Sequence, residues 1–344
     1  MFEKNRLLFI GPLRLGATPR GGDTMKNNLF LKRFKEIYDK VYVVDTIDWH
    51  KKPFTMVKLV YYLLFLHNVK VVISCEQGAS RIIDFLYYFR VQKNVFYWVI
   101  GSGFPTRVAN GGISPQHFHF LKRILVQSPQ MVMQLQNAGL SNALYVPNSK
   151  PIYSIPLQDH KSDICKFVFI SRIHPDKGIG LIFNCLSRIN KEIGESVVSI
   201  DFYGLFDDDY ASFIQEVKSF PNAHYKGLLD LTNIEGYKVL SSYDVMLFPT
   251  YYEGEGFPGV FIDAFIAGLP VLTTSWHFNE EVIQNGVTGF VIPPKDEESL
   301  YRKMLWVIDN KEEIEGMRTR CQNEAQKYDS DNILSVDNLK KIGL

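Results

Sequence analysis

Short runs of Val, Ile, Leu and Phe alternate along this chain with longer stretches whose apolar positions recur at helical spacing. Six runs in the first half are candidate strands: Leu7–Ile10, Val41–Asp45, Val69–Ser74, Val95–Ile100, Ile124–Gln127 and Leu144–Val146. Six more follow: Phe167–Ser171, Val197–Tyr203, His224–Lys226, Val245–Pro249, Val271–Thr273 and Gly289–Ile292. They are continuous apolar runs and not strict alternations, the pattern of parallel strands covered on both faces. Strands separated by helices imply right-handed βαβ units. The period breaks at Pro147–Asp163, which holds three prolines and reads as a linker. The expected division is a first domain over 1–155, a second over 156–329, and a helical segment over 330–344.

One apolar run has two readings. Leu59–Leu66 (LVYYLLFL) follows Lys51, Lys52 and Lys58. It is far shorter than the roughly 20 residues a bilayer span needs. The commoner reading is a core helix of an α/β domain with solvated lysines. The other is a basic, aromatic helix lying on an anionic membrane surface.

Composition narrows the class. A chain of 344 residues exceeds what one core usually spans, so two domains are expected. Apolar content of 46% with 22% charged residues is that of a globular protein. A net charge of +1 gives no global field for nucleic acid, and none is expected as a partner. Cys75, Cys165, Cys185 and Cys321 have neither metal-ligand nor redox-motif spacing, so free thiols in a reducing compartment are expected. The start, MFEKNRLLFIGP, runs straight into a strand without a signal-peptide layout, which points to the cytoplasm.

Candidate chemistry concentrates in Tyr251–Thr273. A buried strand pattern (DVMLFP) runs into a glycine-rich turn and a short apolar helix, and Gly268 ends that helix before a new strand. Glu255 and Asp263 bracket the turn and helix with seven residues between them. Backbone amides at such a turn converge as a phosphate requires, and the acids can accept hydrogen bonds from hydroxyls on either side. Ribose, diphosphate and sugar in a row have that layout. Earlier, strand Phe167–Ile170 leads into Ser171–Gly178, where Arg172 and Lys177 lie at a strand's carboxyl end. Two cations in one loop can neutralise a diphosphate, Arg as a planar fork and Lys as a point charge. In the first half, Arg20-Gly21-Gly22 opens a helix after the first strand and can turn amides toward an anion. There is no Gly-x-Gly-x-x-Gly and no Gly-Lys-Ser/Thr, which weighs against a dehydrogenase or an NTPase.

The Glu255–Asp263 segment resembles the Glu-x7-Glu signature of retaining glycosyltransferases of the GT-B fold, family 4 (group 1). Here the second acid is Asp, one methylene shorter. The resemblance is strongest over Phe167–Pro294. It implies an α/β protein of two Rossmann-like doubly wound domains facing across a cleft. It also implies a last helix, Ser330–Leu344, that returns to the first domain. The family's Arg…Lys-Gly pair matches Arg172 and Lys177, which would hold the donor diphosphate. The amides of Gly256, Phe257, Gly259 and Val260 would join them. Glu255 would hold sugar hydroxyls and Asp263 the ribose. Leu228, after Gly227, would meet the nucleobase through its backbone. Gly21 and Gly22 would line the leaving phosphate or the acceptor.

The implied activity is transfer of a sugar, with its anomeric configuration kept, from a UDP-sugar to a hydroxyl. A lipid-linked glycan in surface-polysaccharide synthesis fits as acceptor, with peripheral attachment to the inner face of the membrane. No cofactor is expected. No metal is expected either: Asp207–Asp209 reads as a solvated loop capping a helix, although another glycosyltransferase fold uses Asp-x-Asp for a metal. Family members often carry a histidine near the strand that ends at Gly101-Ser102-Gly103, and none stands there. His117 and His119 read as structural. Glu281, Thr288 and Gly289 match the family's closing segment. Two rivals stay open: a UDP-sugar epimerase of the same fold, and a non-catalytic partner subunit.

Overall fold

The computed structural model describes residues 5–16, 21–76, 78–91, 93–157, 162–206, 210 and 212–344. Arg20 and Asp207–Asp209 lie outside them. Every one of the twelve apolar runs is a strand, and the chain divides into two compact units.

The first unit runs to Ser149 and takes in Ser330–Leu344. Its strands are β1 (Arg6–Gly11), β2 (Lys40–Asp45), β3 (Lys70–Ile73), β4 (Asn94–Trp98), β5 (Arg123–Val126) and β6 (Ala143–Tyr145). They form one parallel sheet in the order β2-β1-β3-β4-β5-β6. Helices α1 (Gly22–Ile37), α2 (Pro53–Phe65), α3 (Ala79–Tyr88), α4 (Gly103–Ala109) and α5 (Pro129–Asn137) connect them. Local chemistry sets the ends: Pro53 and Pro129 sit in first turns, where a missing N–H costs nothing, and Ser128 accepts from the Gln130 and Met131 amides.

The second unit, Lys150–Asp329, holds β7 (Cys165–Ile170), β8 (Val198–Tyr203), β9 (Ala223–Tyr225), β10 (Val245–Phe248), β11 (Val271–Thr274) and β12 (Gly289–Ile292). They too form a parallel sheet, in the order β12-β11-β10-β7-β8-β9. Its helices are α6 (Ile179–Glu192), α7 (Ser212–Lys218), α8 (Ile234–Leu240), α9 (Gly259–Ile266), α10 (Asn279–Val282), α11 (Glu297–Asp309) and α12 (Lys311–Ala325). The inner strands β10 and β11 are buried on both faces, as their composition implied. Phe167 and Phe169 join one apolar cluster with α6 and α11, while Val168 joins the other with α9. The unit begins at Lys150, whose amide donates to the Tyr328 carbonyl (3.0 Å), six residues before the expected start at 156.

The last helices, α13 (Ser330–Ile333) and α14 (Val336–Ile342), pack in the first unit. Leu334, Leu339 and Leu344 share a core with Phe9, Phe30, Phe34 and Trp98, and Arg33 donates to the Leu334 carbonyl at 2.9 Å.

Helix α2 corrects the core-helix reading of Leu59–Leu66. Only Leu59 and Leu63 are buried, whereas Phe54 is 88% and Phe65 61% exposed, and Val57, Tyr61 and Leu64 also face outward. Sequence hydrophobicity could not tell which side of a run that is apolar throughout would find a partner. Among the described residues no helix is long and apolar enough to cross a membrane.

Candidate active site

Strand order puts the candidate chemistry together. In the second sheet the connections reverse direction between β7 and β10, and a doubly wound sheet binds ligands beyond the carboxyl ends at such a point. The loop after β7 carries Arg172 and Lys177, and the loop after β10 carries Glu255. Two hydrogen bonds join the loops: the Tyr251 amide donates to the Asp176 carbonyl (2.8 Å) and the Tyr251 hydroxyl to the Pro175 carbonyl (3.3 Å). Gly178 is required at this junction. Its φ is +78°, and a Cβ there would sit 2.2 Å from the Pro249 carbonyl oxygen. From the far side, Trp276 Nε1 donates to the Tyr252 carbonyl at 2.9 Å.

Within this frame the Lys177 ammonium donates to Glu255 Oε2, which also accepts from Thr250 Oγ1 at 3.2 Å. Both members of the pair are nearly buried, at 6% and 11% side-chain exposure. Burial pushes the Lys177 ammonium below the ordinary lysine range; Glu255 opposes that shift and Arg172 adds to it. The Tyr252 ring receives both cations, with the Arg172 guanidinium 5.2 Å and the Lys177 ammonium 5.0 Å from its centroid. Arg172 is exposed and makes no carboxylate ion pair among the described residues. The arrangement therefore presents one free guanidinium beside a compensated lysine, with a carboxylate facing the same space.

Gly256, Phe257, Gly259 and Val260 form the turn into α9 and its first residues. No side chain caps that helix, so its leading amides are not taken by a capping group. The Phe257 side chain is buried, 5.6 Å from the Tyr328 ring, so only its backbone can serve a ligand. Asp263 lies one helix face away and is buried. Its Oδ2 pairs with the Lys150 ammonium, and its Oδ1 accepts from the Tyr237 hydroxyl at 2.8 Å. Burial, and then Asp263, push the Tyr237 hydroxyl far above its ordinary range, which keeps it a donor. Leu228 stands exposed after Gly227 (φ +76°) in the loop beyond β9. Glu281 is exposed on α10.

In the first sheet the connections reverse between β1 and β3. Gly21 (φ +89°) and Gly22 open α1 there, both exposed. Asp23 takes the third amide of that helix, its Oδ1 accepting from the Thr24 N–H at 2.7 Å. Glu76, after β3, reaches the end of β4. A Cβ on Gly103 would come within 2.9 Å of Glu76 Oε1, and one on Gly101 within 3.4 Å. Burial raises the Glu76 carboxyl, Asp23 raises it further, and Arg107 opposes them. The end of β4, where the resemblance left a role unassigned, is thus filled by a carboxylate from the neighbouring strand. His117 is held by Asp84 (2.6 Å) and stacks on Tyr87, as a structural histidine does.

Residue patterns did not reveal Glu76, Thr250, Tyr252, Lys150 or Tyr237. Glu76 carried a usable signal, being an acid just past a strand end at the sheet's reversal. Lys150 and Tyr237 carried none, since both approach Asp263 from distant sequence. Among the described residues no three His, Cys, Asp or Glu side chains gather as metal ligands would.

Comparison with known proteins supplies the class. Residues 165–310 match the family described as Glycosyl transferases group 1. No curated protein matches in sequence. Several solved structures share the fold. Alr3699/HepE of Anabaena, solved in complex with UDP, superposes with a TM-score of 0.74 at 14% identity, over 99% of this chain and 100% of its own. The sucrose-phosphate synthase of Thermosynechococcus elongatus gives 0.73 at 13%, over 98% of each. The lipopolysaccharide outer core galactosyltransferase WaaB gives 0.71 at 14%, also over 98% of each. Residues 165–310 carry that family's sequence and the two parallel six-stranded sheets are those of the GT-B fold, which together make the chain a glycosyltransferase.

Proposed function

We propose that the protein transfers a sugar from a UDP-sugar to a hydroxyl of a lipid-linked glycan, with retention at the anomeric carbon and without a metal ion. The observation that carries this reading is the junction of Arg172, Lys177 and Glu255 at the reversal point of the second sheet. UDP in the HepE structure supports a uridine donor. HepE has also been solved with UDP and glucose.

In the mechanism, the diphosphate lies against Arg172 and the open amides of Gly256, Phe257, Gly259 and Val260. Lys177 turns from Glu255 toward the phosphate oxygens as the donor arrives. Negative charge grows on the departing phosphate during transfer, and two cations gathered in one partly dry loop stabilise it. Glu255, released by Lys177, accepts from sugar hydroxyls. The leaving phosphate takes the acceptor hydroxyl's proton as that oxygen attacks from the same face. Asp263 and Lys150 hold the ribose diol, Asp263 as acceptor and Lys150 as donor, so the lysine spans the gap left by the shorter acid. The base lies along the backbone near Leu228. On the first unit, Gly21 and Gly22 give close approach, while Asp23 and Glu76 favour hydroxyls over an anion and so suit a glycan acceptor.

The test is a panel of nucleotide sugars. UDP-sugars should raise the unfolding temperature, and one should support transfer in excess chelator with the donor's anomeric configuration in the product. Inverted product, or activity lost to EDTA and restored by Mn or Mg, would overturn the mechanism.

A further inference from the structure

We infer that the first unit carries a membrane-docking site at the amino-terminal edge of its sheet, where a basic depression and the outward face of α2 together take an anionic phospholipid surface. This deepens the lipid side of the proposal above, and the test below reads lipid binding without any sugar transfer, so either can fail alone.

The depression has a volume of about 1170 Å³ and opens beneath the starts of β1, β3 and β4, at the opposite end of the strands from the loops described above. Arg6, His67, Lys70, Arg90 and Lys93 line it, and among the described residues no Asp or Glu does. Among the described residues none of these four Arg and Lys side chains forms an ion pair with a carboxylate. Two already serve the chain leaving α2: Arg6 donates to the His67 carbonyl at 2.6 Å and Lys93 to that of Leu66. Each keeps further donors, since a guanidinium has five N–H groups and an ammonium three. Arg6 Nε is buried with no partner. Burial also lowers the Lys70 and Lys93 ammonium groups, as expected of cations that lack a counter-charge.

The rim is apolar where it meets water. Phe65 ends α2 just before His67, and Tyr88 (69% exposed) and Phe89 (66%) end α3 just before Arg90. Along α2, Phe54, Val57, Tyr61, Leu64 and Phe65 fall within an arc of about 100° at the helical angle per residue. That is the outward stripe, and Lys58 borders it. Between Asp48 and Glu76 the sequence has no acidic residue but carries Lys51, Lys52, Lys58 and Lys70.

Charge selects the occupant. An apolar stripe flanked by cations fits the boundary between acyl chains and anionic headgroups, with a phosphate entering the basic depression. A second copy of the chain is disfavoured, because a two-fold contact would set like charges against each other.

The experiment is co-sedimentation of the whole chain with phosphatidylcholine vesicles and with vesicles in which about a third of the lipid is phosphatidylglycerol. Binding is expected only to the anionic vesicles, and should weaken steeply with salt. Arg90→Glu and Lys58→Glu change exposed residues and should each lower the partition coefficient about tenfold or more. The double change Phe54→Ser, Phe65→Ser, also exposed, should abolish binding with the unfolding temperature unchanged. Equal binding to both vesicle types, no binding to either, or insensitivity to these variants would each overturn the inference. So would a dimer in solution that the phenylalanine changes dissociate. Inorganic phosphate at millimolar concentration should not displace the protein from the vesicles; displacement would make the depression a site for a soluble anion.

Discussion

The Lys177–Glu255 pair offers a test in which stability and activity separate. Both side chains are about nine-tenths buried, so Glu255→Gln leaves an ammonium in a dry loop without its counter-charge. Breaking a buried pair from one side costs about 3–5 kcal/mol. The amide still accepts one hydrogen bond, which places this change at the low end, about 3 kcal/mol. For a unit of this size that is a fall of roughly 6–12 °C in Tm. The deficit should depend on pH. Burial already depresses the folded-state Lys177 value, so the unfolded chain binds more protons in the window above it, and stability rises with pH there. Removing Glu255 depresses Lys177 further and opens that window at a lower pH. The variant's deficit should therefore shrink as pH rises toward the ordinary lysine range. Lys177→Met with Glu255→Leu removes both charges at once and should recover most of the loss, since a well-packed apolar pair can replace a buried ion pair. That double variant should be folded and inactive. Calorimetry of the parent, Glu255→Gln, Lys177→Met and the double variant at pH 7 and pH 9, with transfer rates at pH 7, decides it. Single variants as stable as the parent at pH 7, or a double variant less stable than either single, would refute the account.

Arg172→Ala should leave Tm nearly unchanged, because among the described residues the exposed guanidinium's one partner is the Tyr252 ring, worth about 0.5–1 kcal/mol; transfer should fall by about 100-fold, which steady-state kinetics can check. Asp263→Asn should raise the donor KM more than it lowers kcat, and Asp263→Glu, crowding a buried carboxylate already held by Lys150 and Tyr237, should lower Tm by a few degrees; a larger effect of Asp263→Asn on kcat would remove it from the ribose. Arg318, wholly buried, donates to the Ser241 and Tyr243 carbonyls (2.7 and 3.0 Å), so Arg318→Met should cost about 3 kcal/mol in urea unfolding without changing KM. Burial raises all four thiols, Cys75 and Cys185 to about 12, so a thiol reagent at pH 8 should modify the native protein only at its unfolding rate.

The sequence by itself determined the twelve strands, their parallel pairing and the two-unit division. Continuous Val, Ile, Leu and Phe runs separated by helices have few other ways to bury both faces. It also marked Arg172, Lys177 and Glu255, because glycine turns and charges at strand ends are local signals. Tertiary structure alone decided how those charges pair: Lys177 compensates Glu255, and Asp263 is claimed by Lys150 and Tyr237. Such partners come from distant segments, and no spacing rule links them. It decided Glu76 in the same way, since adjacency of β3 and β4 aims that acid at Gly101 and Gly103. It also decided which face of α2 meets the core. The run Leu59–Leu66 is apolar throughout and carries no period that could say so, and only the packing of Leu59 and Leu63 shows that its larger greasy side is turned outward.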